Sequence, residues 1–385
     1  MEARVAVTAP GTYFTVGLLL VLAHCPDEPK AAEDVGAIWL VHGRGWNVAP
    51  AADSTTVYFG GIAHDVVAIS KAGGQVRWRA STGVAGPYTE GSNVVVAANV
   101  VAVGDVDIYA FDRATGAPRW TFRPVDLDET GRGLLVVAGD AIFAASLHNR
   151  VYALDARTGE QRWMTPLPGD STSAAFDPAV HDSTVFVGVK RFGIPTTGAI
   201  AALDTGTGTI RWVREFAPSY PGALYGCLGG AVFYDELVIV AAEDGRIYAF
   251  DRRSGDTVWI APRVHAIPPA TGGSYADTRP LEIVGDIVVA GSTQGILVGL
   301  DAATGVERWR RRDVTLSYFG VRYASDGDTL FVTADGVQGI DPATGAARWR
   351  RGAGAINRSV FISPGLPEPG RLFISGDAGF YALRR

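Results

Sequence analysis

The stretch Val151-Tyr-Ala-Leu-Asp-Ala-Arg-Thr-Gly-Glu-Gln-Arg-Trp163 contains a motif, Asp-x-x-Thr-Gly-x-x-x-Trp, that recurs along most of the 385-residue chain. Five copies match fully, a sixth has Ser in place of Thr, and an eroded copy without the Asp precedes them. In chain order they are Ser70/Gly73/Gly74/Trp78, Asp112/Thr115/Gly116/Trp120, Asp155/Thr158/Gly159/Trp163, Asp204/Thr207/Gly208/Trp212, Asp251/Ser254/Gly255/Trp259, Asp301/Thr304/Gly305/Trp309 and Asp341/Thr344/Gly345/Trp349. Successive Trp residues are 42, 43, 49, 47, 50 and 40 positions apart, about the length of a four-stranded propeller blade. Such a period indicates a repeat architecture.

Each copy follows two short apolar segments that have the composition of β-strands. Before Asp155 these are Ala141–Ala145 and Val151–Leu154, and a polar link joins them as in a β-hairpin. The Asp-x-x-Thr-Gly segment predicts a second tight turn, because the carboxylate can accept backbone N–H bonds and the Gly can adopt a positive φ. The Trp then lies on an outer strand, where its large ring and single N–H suit it to bridge adjacent sheets. One such sheet leaves its faces exposed, so the copies are expected to stack.

The two ends of the chain predict how the ring closes. The last repeat, Arg371–Ser375 and Gly379–Leu383, stops at Arg384-Arg385 without a turn motif or a Trp strand. Near the other end, Gly36–Val41 resembles an outer strand around Trp39 that has no sheet of its own. We therefore predict that this segment completes the final blade and leaves no open edge. The expected fold is all-β: an eight-bladed β-propeller of four-stranded antiparallel blades, in one domain over residues 36–385.

The composition agrees with this architecture and argues against one class of function. The chain is 47% hydrophobic, contains 48 Gly, and has no long segment of helical periodicity. Its formal net charge of −6 argues against a general nucleic-acid binder, which normally has a basic surplus. We expect a monomer with no nucleic-acid partner.

The N-terminal residues predict export. Tyr13–Ala23 is an apolar run that is too short for a membrane span but suits the core of a signal peptide, although a buried or disordered leader is the alternative. Leu22-Ala-His-Cys25 resembles a lipoprotein signal-peptidase site, from which His24 departs, because Gly, Ala or Ser usually precedes the Cys. The expectation is a leader over residues 1–25, a lipid on Cys25, and a flexible polar tether over residues 26–35.

The repeats also resemble a known family. The run Val151–Trp163 is similar to the signature of pyrroloquinoline-quinone-type propeller repeats, and similar runs extend from about Gly36 to Arg385. Within that superfamily, the single domain, the eight predicted blades and the leader resemble the BamB-type outer-membrane assembly lipoproteins. The resemblance implies a non-enzymatic scaffold of the bacterial envelope that binds protein partners, is periplasmic or anchored to the outer membrane, and touches the membrane only through its lipid.

A quinone-dependent dehydrogenase and a small-ligand-binding propeller are the alternatives. Quinoprotein alcohol dehydrogenases of this superfamily typically hold the quinone beneath a ring formed by two adjacent cysteines, whereas Cys25 and Cys227 are the only two cysteines here and lie far apart. Cys227 is expected in the core. His42, His64, His148 and His265 fall in predicted links without a metal-ligand spacing. We expect no cofactor, no metal site and no catalytic residue.

The segments that lead into the innermost strands carry the candidate binding residues. In a propeller these segments converge on the mouth of the central channel, where guanidinium and aromatic groups would suit an acidic peptide or an anionic small molecule. The candidates are Arg44, Trp46, Tyr88, Glu90, Arg132, Arg279, Tyr318, Arg322 and Arg358, with Asn357 beside the last. The same residues are also compatible with ordinary exposed connections. A predicted loop over Lys190–Gly198, longer than its counterparts, is either a docking element or a tolerated insertion.

Overall fold

The computed structural model of the chain describes most of the residues after Gly36. The described ranges are 37–43, 49–61, 64–84, 93–104, 107–124, 135–169, 173–191, 197–216, 230–242, 245–262, 264, 281–291, 296–312, 322–334, 336–351, 365–376 and 379–384. These ranges are built from β-strands, turns and links, and they contain no helix that is long and apolar enough to cross a lipid bilayer.

The strands follow one another in groups of four after a single leading strand. The leading strand and the first half of the ring are β1 (Ala37–His42), β2 (Ala51–Ala52), β3 (Thr56–Gly61), β4 (Asp65–Ser70), β5 (Val76–Ser81), β6 (Val94–Ala97), β7 (Val100–Gly104), β8 (Ile108–Asp112), β9 (Pro118–Phe122), β10 (Val136–Ala138), β11 (Ala141–Ala145), β12 (Arg150–Asp155), β13 (Gln161–Pro166), β14 (Ser173–His181), β15 (Thr184–Arg191), β16 (Thr197–Asp204) and β17 (Ile210–Phe216). The second half consists of β18 (Val232–Tyr234), β19 (Leu237–Ala241), β20 (Ile247–Asp251), β21 (Thr257–Ile260), β22 (Leu281–Val284), β23 (Ile287–Gly291), β24 (Leu297–Asp301), β25 (Glu307–Arg311), β26 (Arg322–Ser325), β27 (Leu330–Ala334), β28 (Gly336–Ile340), β29 (Ala347–Arg351), β30 (Leu366–Glu368), β31 (Arg371–Gly376) and β32 (Gly379–Arg384).

These strands form eight antiparallel four-stranded sheets, as predicted. Blades 1 to 7 each take four consecutive strands, from β2–β5 in blade 1 to β26–β29 in blade 7. Blade 8 has the order β1-β32-β31-β30, so the N-terminal strand supplies its outer edge. Trp39 of β1 lies opposite Ala382, and His42 lies opposite Gly379. The predicted all-β, eight-bladed fold and its closure by the N-terminal strand are confirmed.

The hydrophobic core lies between neighbouring blades. The cluster that joins blade 8 to blade 1 contains Trp39, Phe59, Phe373 and Phe380, and the rings of Phe59 and Phe380 lie 4.9 Å apart. Lys71 adds an ion pair to Glu368 across the same junction. Equivalent clusters fill the other junctions because strand residues alternate between the two neighbouring blades. The ring therefore closes through packing as well as through strand pairing.

Strand direction gives the ring two distinct faces. The face that carries the Asp motifs also carries the turns between the first and second strands of each blade, and we call it the turn face. Backbone bonds tie the two turns of a blade together, for example from the N–H of Ala156 to the carbonyl of Asp140 at 2.9 Å. At the opposite face each outer strand ends and the next inner strand begins, and we call it the connection face.

Two details of the predicted layout are wrong. Lys190–Gly198 is not one loop, since Lys190 and Arg191 belong to β15, and Thr197 and Gly198 belong to β16. Both strands are longer than predicted, and their pairing continues until Arg191 lies opposite Thr197. His42 belongs to β1 rather than to a link.

Candidate functional site

The tryptophans of the repeat join each blade to the next. Seven of the indole N–H groups donate to the backbone carbonyl of the residue that follows the Asp, or the equivalent Ser70, of the next blade. The pairs are Trp39 to Lys71 (3.1 Å), Trp78 to Arg113 (3.1 Å), Trp120 to Ala156 (3.2 Å), Trp163 to Thr205 (2.9 Å), Trp212 to Arg252 (3.1 Å), Trp259 to Ala302 (3.1 Å) and Trp309 to Pro342 (2.7 Å). These tryptophans are structural residues that stabilise the ring.

Trp349 is the tryptophan of the last motif. It faces blade 8, whose strands β31 and β32 are not followed by an Asp-x-x-Thr-Gly turn in the sequence. Its ring packs 6.0 Å from Phe331 of its own blade, and the guanidinium of Arg351 lies 5.2 Å from the ring centroid. Trp349 is half-buried, as Trp120 is.

The motif glycines pack directly on the indoles of the preceding blade. Gly159 has φ 74°, and a Cβ added to it would lie 2.6 Å from the ring of Trp120. A side chain at this position would therefore have an unfavourable backbone conformation and would clash with the indole ring. The same close approach recurs around the ring, in the pairs Gly74 on Trp39, Gly116 on Trp78, Gly208 on Trp163, Gly255 on Trp212, Gly305 on Trp259 and Gly345 on Trp309. The motif is invariant at Gly because the turn of one blade covers the indole of another.

The motif aspartates hold the turns and bind arginines whose role the sequence pattern does not indicate. Asp155 Oδ1 accepts the backbone N–H groups of Arg157 at 2.9 Å and Thr158 at 3.0 Å, while Oδ2 accepts Arg162 at 2.6 Å. The residue before the Trp is arginine in most copies and binds the Asp of its own turn. These pairs are Arg119–Asp112 (2.5 Å), Arg162–Asp155 (2.6 Å), Arg211–Asp204 (2.7 Å), Arg308–Asp301 (2.5 Å) and Arg348–Asp341 (2.9 Å).

These arginines shift the titration of the carboxylates. The guanidinium groups of Arg119, Arg162 and Arg211 lower the pKa of Asp112, Asp155 and Asp204 to about 2, and backbone N–H bonds within the turns add to the effect. The ordinary value is 3.8. The turn face thus carries a set of carboxylates that stay ionised in moderate acid and are already fully hydrogen-bonded.

Acid should remove this stabilisation in a defined window. Because the pKa values are lowered in the folded state, the contribution is complete above about pH 5 and is lost as pH falls towards about 2. We expect the melting temperature, followed by circular dichroism, to fall through this window. A triple variant Arg119→Gln, Arg162→Gln, Arg211→Gln should show a shallower fall, whereas Arg157→Gln should keep the wild-type slope. Equal slopes in the triple variant and the wild type would contradict the assignment.

The connection face differs from blade to blade. Blade 1 pairs Arg79 with Asp65 at 3.5 Å, and blade 2 pairs Arg123 with the buried Asp107 at 3.0 Å. Blade 4 pairs Arg191 with Glu215 at 2.6 Å. In blade 3 the buried Asn149 instead donates to the carbonyl of Leu167 at 2.9 Å. This individuality contrasts with the repeated chemistry of the turn face.

Most of the predicted binding residues lie outside the described part of the chain. Arg322 is the exception: it begins β26, and its backbone pairs with Thr333. The others are Arg44, Trp46, Tyr88, Glu90, Arg132, Arg279, Tyr318, Asn357 and Arg358. Cys25, Cys227, His265 and the predicted leader and tether, residues 1–35, also lie outside it. All of the predicted binding positions, including Arg322, therefore remain sequence-based candidates.

Inner strands of successive blades lie side by side around the channel, as β10 and β14 do. Among them, Glu282 of β22 accepts a hydrogen bond from Ser325 of β26 at 2.8 Å, and burial raises the pKa of this carboxyl. No group of three His, Cys, Asp or Glu side chains that could hold a metal occurs among the residues with assigned positions. Among the described residues, Glu282 is thus a partly buried acid that bonds to the neighbouring blade.

Comparisons with known proteins find related sequences and solved structures with the same fold. The chain is 24% identical over 279 residues to outer membrane protein assembly factor BamB of Burkholderia pseudomallei, which covers 60% of this chain and 70% of that protein. It is 26% identical over 158 residues to a quinoprotein ethanol dehydrogenase of Pseudomonas aeruginosa, covering 40% of this chain and only 24% of the enzyme.

A solved structure of BamB from Moraxella catarrhalis has the same fold, with a TM-score of 0.66 and 19% identity over 90% of this chain and 98% of that one. A family model described as outer membrane protein assembly factor BamB matches residues 31–176 and 177–315, which is more than half of the chain. The matched residues include the closing strand β1 and the repeats of blades 1 to 6. This chain belongs to the family of outer membrane protein assembly factor BamB, built on pyrroloquinoline-quinone-like propeller repeats.

Proposed function

We propose that this protein is a non-enzymatic binding scaffold of the bacterial cell envelope, which holds a partner protein on its connection face during outer-membrane protein assembly. The observation that carries the proposal is the contrast between the two faces. Five of the motif carboxylates each bind an arginine of the same blade, and seven indole N–H groups donate to the next blade. The polar groups of the turn face therefore bind other groups of the ring. The connection face varies between blades, as a surface that discriminates between partners requires.

The proposed partner presents an acidic segment. Five of the candidate residues at the predicted channel mouth are arginines, namely Arg44, Arg132, Arg279, Arg322 and Arg358. Guanidinium groups bind carboxylates in a bidentate geometry, and the aromatic candidates Trp46, Tyr88 and Tyr318 would add apolar area at the same mouth.

Export and lipidation at Cys25 complete the proposal, because they would place the scaffold where outer-membrane proteins are assembled.

Charge reversal tests which face binds. We expect the triple variant Arg132→Glu, Arg279→Glu, Arg358→Glu to capture at least tenfold less partner from envelope extracts, because like charges would then meet at the mouth. The melting temperature should stay nearly unchanged. Partner recovery is measured by quantitative mass spectrometry of the protein retained on immobilised scaffold.

The matched control reverses exposed arginines of the turn face. Arg157 and Arg253 suit this purpose, whereas Arg252 does not, since it contacts His181, Asp182 and Glu236 and ties two blades together. The double variant Arg157→Glu, Arg253→Glu should retain wild-type capture. If it abolishes capture while the mouth variant does not, the binding face has been assigned to the wrong side of the ring.

A quinone-dependent enzyme is the second candidate, because quinoprotein dehydrogenases occur among the relatives. The residues present fit it poorly: the chain has two cysteines, at positions 25 and 227, and hence no adjacent pair to cover a quinone. The same preparation distinguishes the two functions. Stoichiometric binding of pyrroloquinoline quinone in the presence of Ca²⁺, with dye-coupled alcohol oxidation, would favour the enzyme over the scaffold.

A further inference from the structure

Arginines are unevenly distributed over the outer strands of the blades. The outer strands of blades 6 and 7, β25 and β29, carry three arginines each, and Arg312 directly follows β25. The outer strands of the flanking blades, β21 of blade 5 and β1 of blade 8, contain neither arginine nor lysine. The other four outer strands carry one or two arginines each. Because the chain has a formal net charge of −6, this concentration is opposite in sign to the charge of the whole.

Neighbouring acids compensate only part of this positive charge. Arg308 and Arg348, which precede the tryptophans, bind Asp301 and Asp341 of their own turns. The other five arginines of residues 307–313 and 347–351 share these segments with two acids, Glu307 and Asp313. We call these five the arginine rim: Arg310, Arg311, Arg312, Arg350 and Arg351. One of them, Arg310, binds Glu307 at 2.5 Å.

The arginine rim is continuous across two blade junctions. Arg311 of blade 6 donates to the carbonyl of Gly345 in blade 7 at 2.6 Å, and Arg351 of blade 7 donates to the carbonyl of Arg384 in blade 8. Since a carbonyl oxygen carries no formal charge, these bonds position the guanidinium groups without cancelling their charge. Arg312 and Arg350 are exposed. The outside of blades 6 and 7 therefore presents positive charge as far as the edge of blade 8.

The remaining acids of these two blades lie on a different surface. Asp286 follows β22, and Asp326 and Asp328 follow β26, so all three belong to turns of the turn face. The arginine rim occupies the other half of β25 and β29, where these strands run towards the connection face. The positive surplus is therefore a property of the outer circumference of the ring.

Exposed aliphatic side chains occur in the same part of the circumference. Val306 directly precedes β25 and is 60% exposed. The large hydrophobic residues that the described ranges expose all lie on blades 5, 6, 8 or 1, and they are Ile38, Val76, Val258, Ile260 and Val306. Cationic groups beside exposed aliphatic groups are typical of surfaces that lie at a membrane interface, where the cations bind anionic headgroups.

The N-terminal segment enters the ring next to this surface. β1 belongs to blade 8, which adjoins blade 7. The predicted tether, residues 26–35, could span roughly 35 Å when extended. A lipid on Cys25 would therefore hold blade 8, and with it the arginine rim, within reach of a membrane. A basic surface close to a lipid anchor strengthens membrane attachment.

We propose that the arginine rim binds the anionic headgroups of a membrane, so that the ring lies with the outside of blades 6 and 7 against the lipid surface. In this orientation the connection face remains open to a partner protein. The inference rests on the proposed envelope location and lipidation. It does not depend on which face binds the partner.

Sedimentation with lipid vesicles tests the arginine rim. The probe is vesicles of equal parts phosphatidylglycerol and phosphatidylcholine, compared with phosphatidylcholine alone, and the protein is the full chain. Each arginine near an anionic membrane surface strengthens binding about fivefold, so Arg312→Gln should bind the anionic vesicles about fivefold more weakly than the wild type. The double variant Arg312→Gln, Arg350→Gln should bind them at least about tenfold more weakly. Wild-type binding should also weaken as salt is added, because salt screens exposed charges.

The control removes the same charge from the turn face. Arg157 and Arg253 are exposed there, and the double variant Arg157→Gln, Arg253→Gln should bind the anionic vesicles like the wild type. The apolar N-terminal run is common to all of these chains, so differences between them report the substituted arginines. The melting temperature of each variant confirms that it is folded.

Two results would overturn the proposal. One is equal binding of the wild type to both kinds of vesicle, and the other is wild-type binding of the anionic vesicles by the double variant at the rim. If that double variant keeps vesicle binding but captures less protein from envelope extracts, the rim binds an acidic protein and not a membrane. Normal partner capture with weakened vesicle binding supports the proposal and leaves the function proposed for the connection face untouched.

Discussion

Removal of β1 is expected to lower the free energy of unfolding by several kcal/mol, which is the larger of two strong effects. A chain that starts at Gly43 loses the pairing of β1 with β32 and leaves that strand as an open edge. It also loses Trp39, which packs 5.8 Å from Phe373 and donates to Lys71. Loss of a buried Trp side chain alone costs about 3–5 kcal/mol. Urea unfolding and light scattering would measure the lost stability and the accompanying aggregation.

Two comparisons isolate the contribution of the strand. A chain that starts at Ala37 should unfold like the full-length protein, because it keeps every residue of β1. The full-length variant Trp39→Ala should fall between the two. A chain starting at Gly43 that melts cooperatively within about a degree or two of the full-length protein would show that β1 contributes nothing to closure.

Replacement of Trp212 by alanine should destabilise the ring by about 3–5 kcal/mol. Trp212 is buried between blades 4 and 5, its ring lies 5.8 Å from Phe186, and Gly255 of the next turn rests on it. The cavity left behind is bounded by two sheets that are fixed by their own strand pairing, so it cannot collapse easily. Equilibrium urea unfolding gives the change directly.

A second substitution separates packing from hydrogen bonding. Trp212→Phe keeps much of the apolar area but loses the bond to the carbonyl of Arg252, and it should cost about 1–2 kcal/mol. Val76→Ala, at an exposed site, should cost less than about 0.5 kcal/mol. If Trp212→Ala proved as mild as Val76→Ala, the indoles would not be what holds the blades together.

The fold was predictable because its determinants repeat. Six of the seven turns have the same Asp, and all seven have the Gly at a positive φ and the Trp that follows. The seven copies therefore predict one and the same local structure. The arginine before the Trp was equally visible in the sequence, but its role was not. It reaches the Asp seven residues earlier because a bulge shifts the register at Ala153 and Leu154 and brings both ends of the turn together.

The candidate site was less predictable because its determinants do not repeat. Pairs such as Asp107 with Arg123 and Arg191 with Glu215 occur in single blades, so no periodic signal marks them. Blade 5 differs from this, because its departure from the repeat is visible in the sequence. Val258 precedes the Trp where the other six motif copies have arginine.

The direction of β1 also determines at which face the chain enters the ring. Ala37 lies opposite Leu383 at the turn-face end of blade 8, and His42 lies opposite Gly379 at the connection-face end. The chain therefore enters blade 8 from the turn face. Anything attached through residues before Ala37 therefore reaches blade 8 at its turn-face end, and the connection face lies at the other end of the blade.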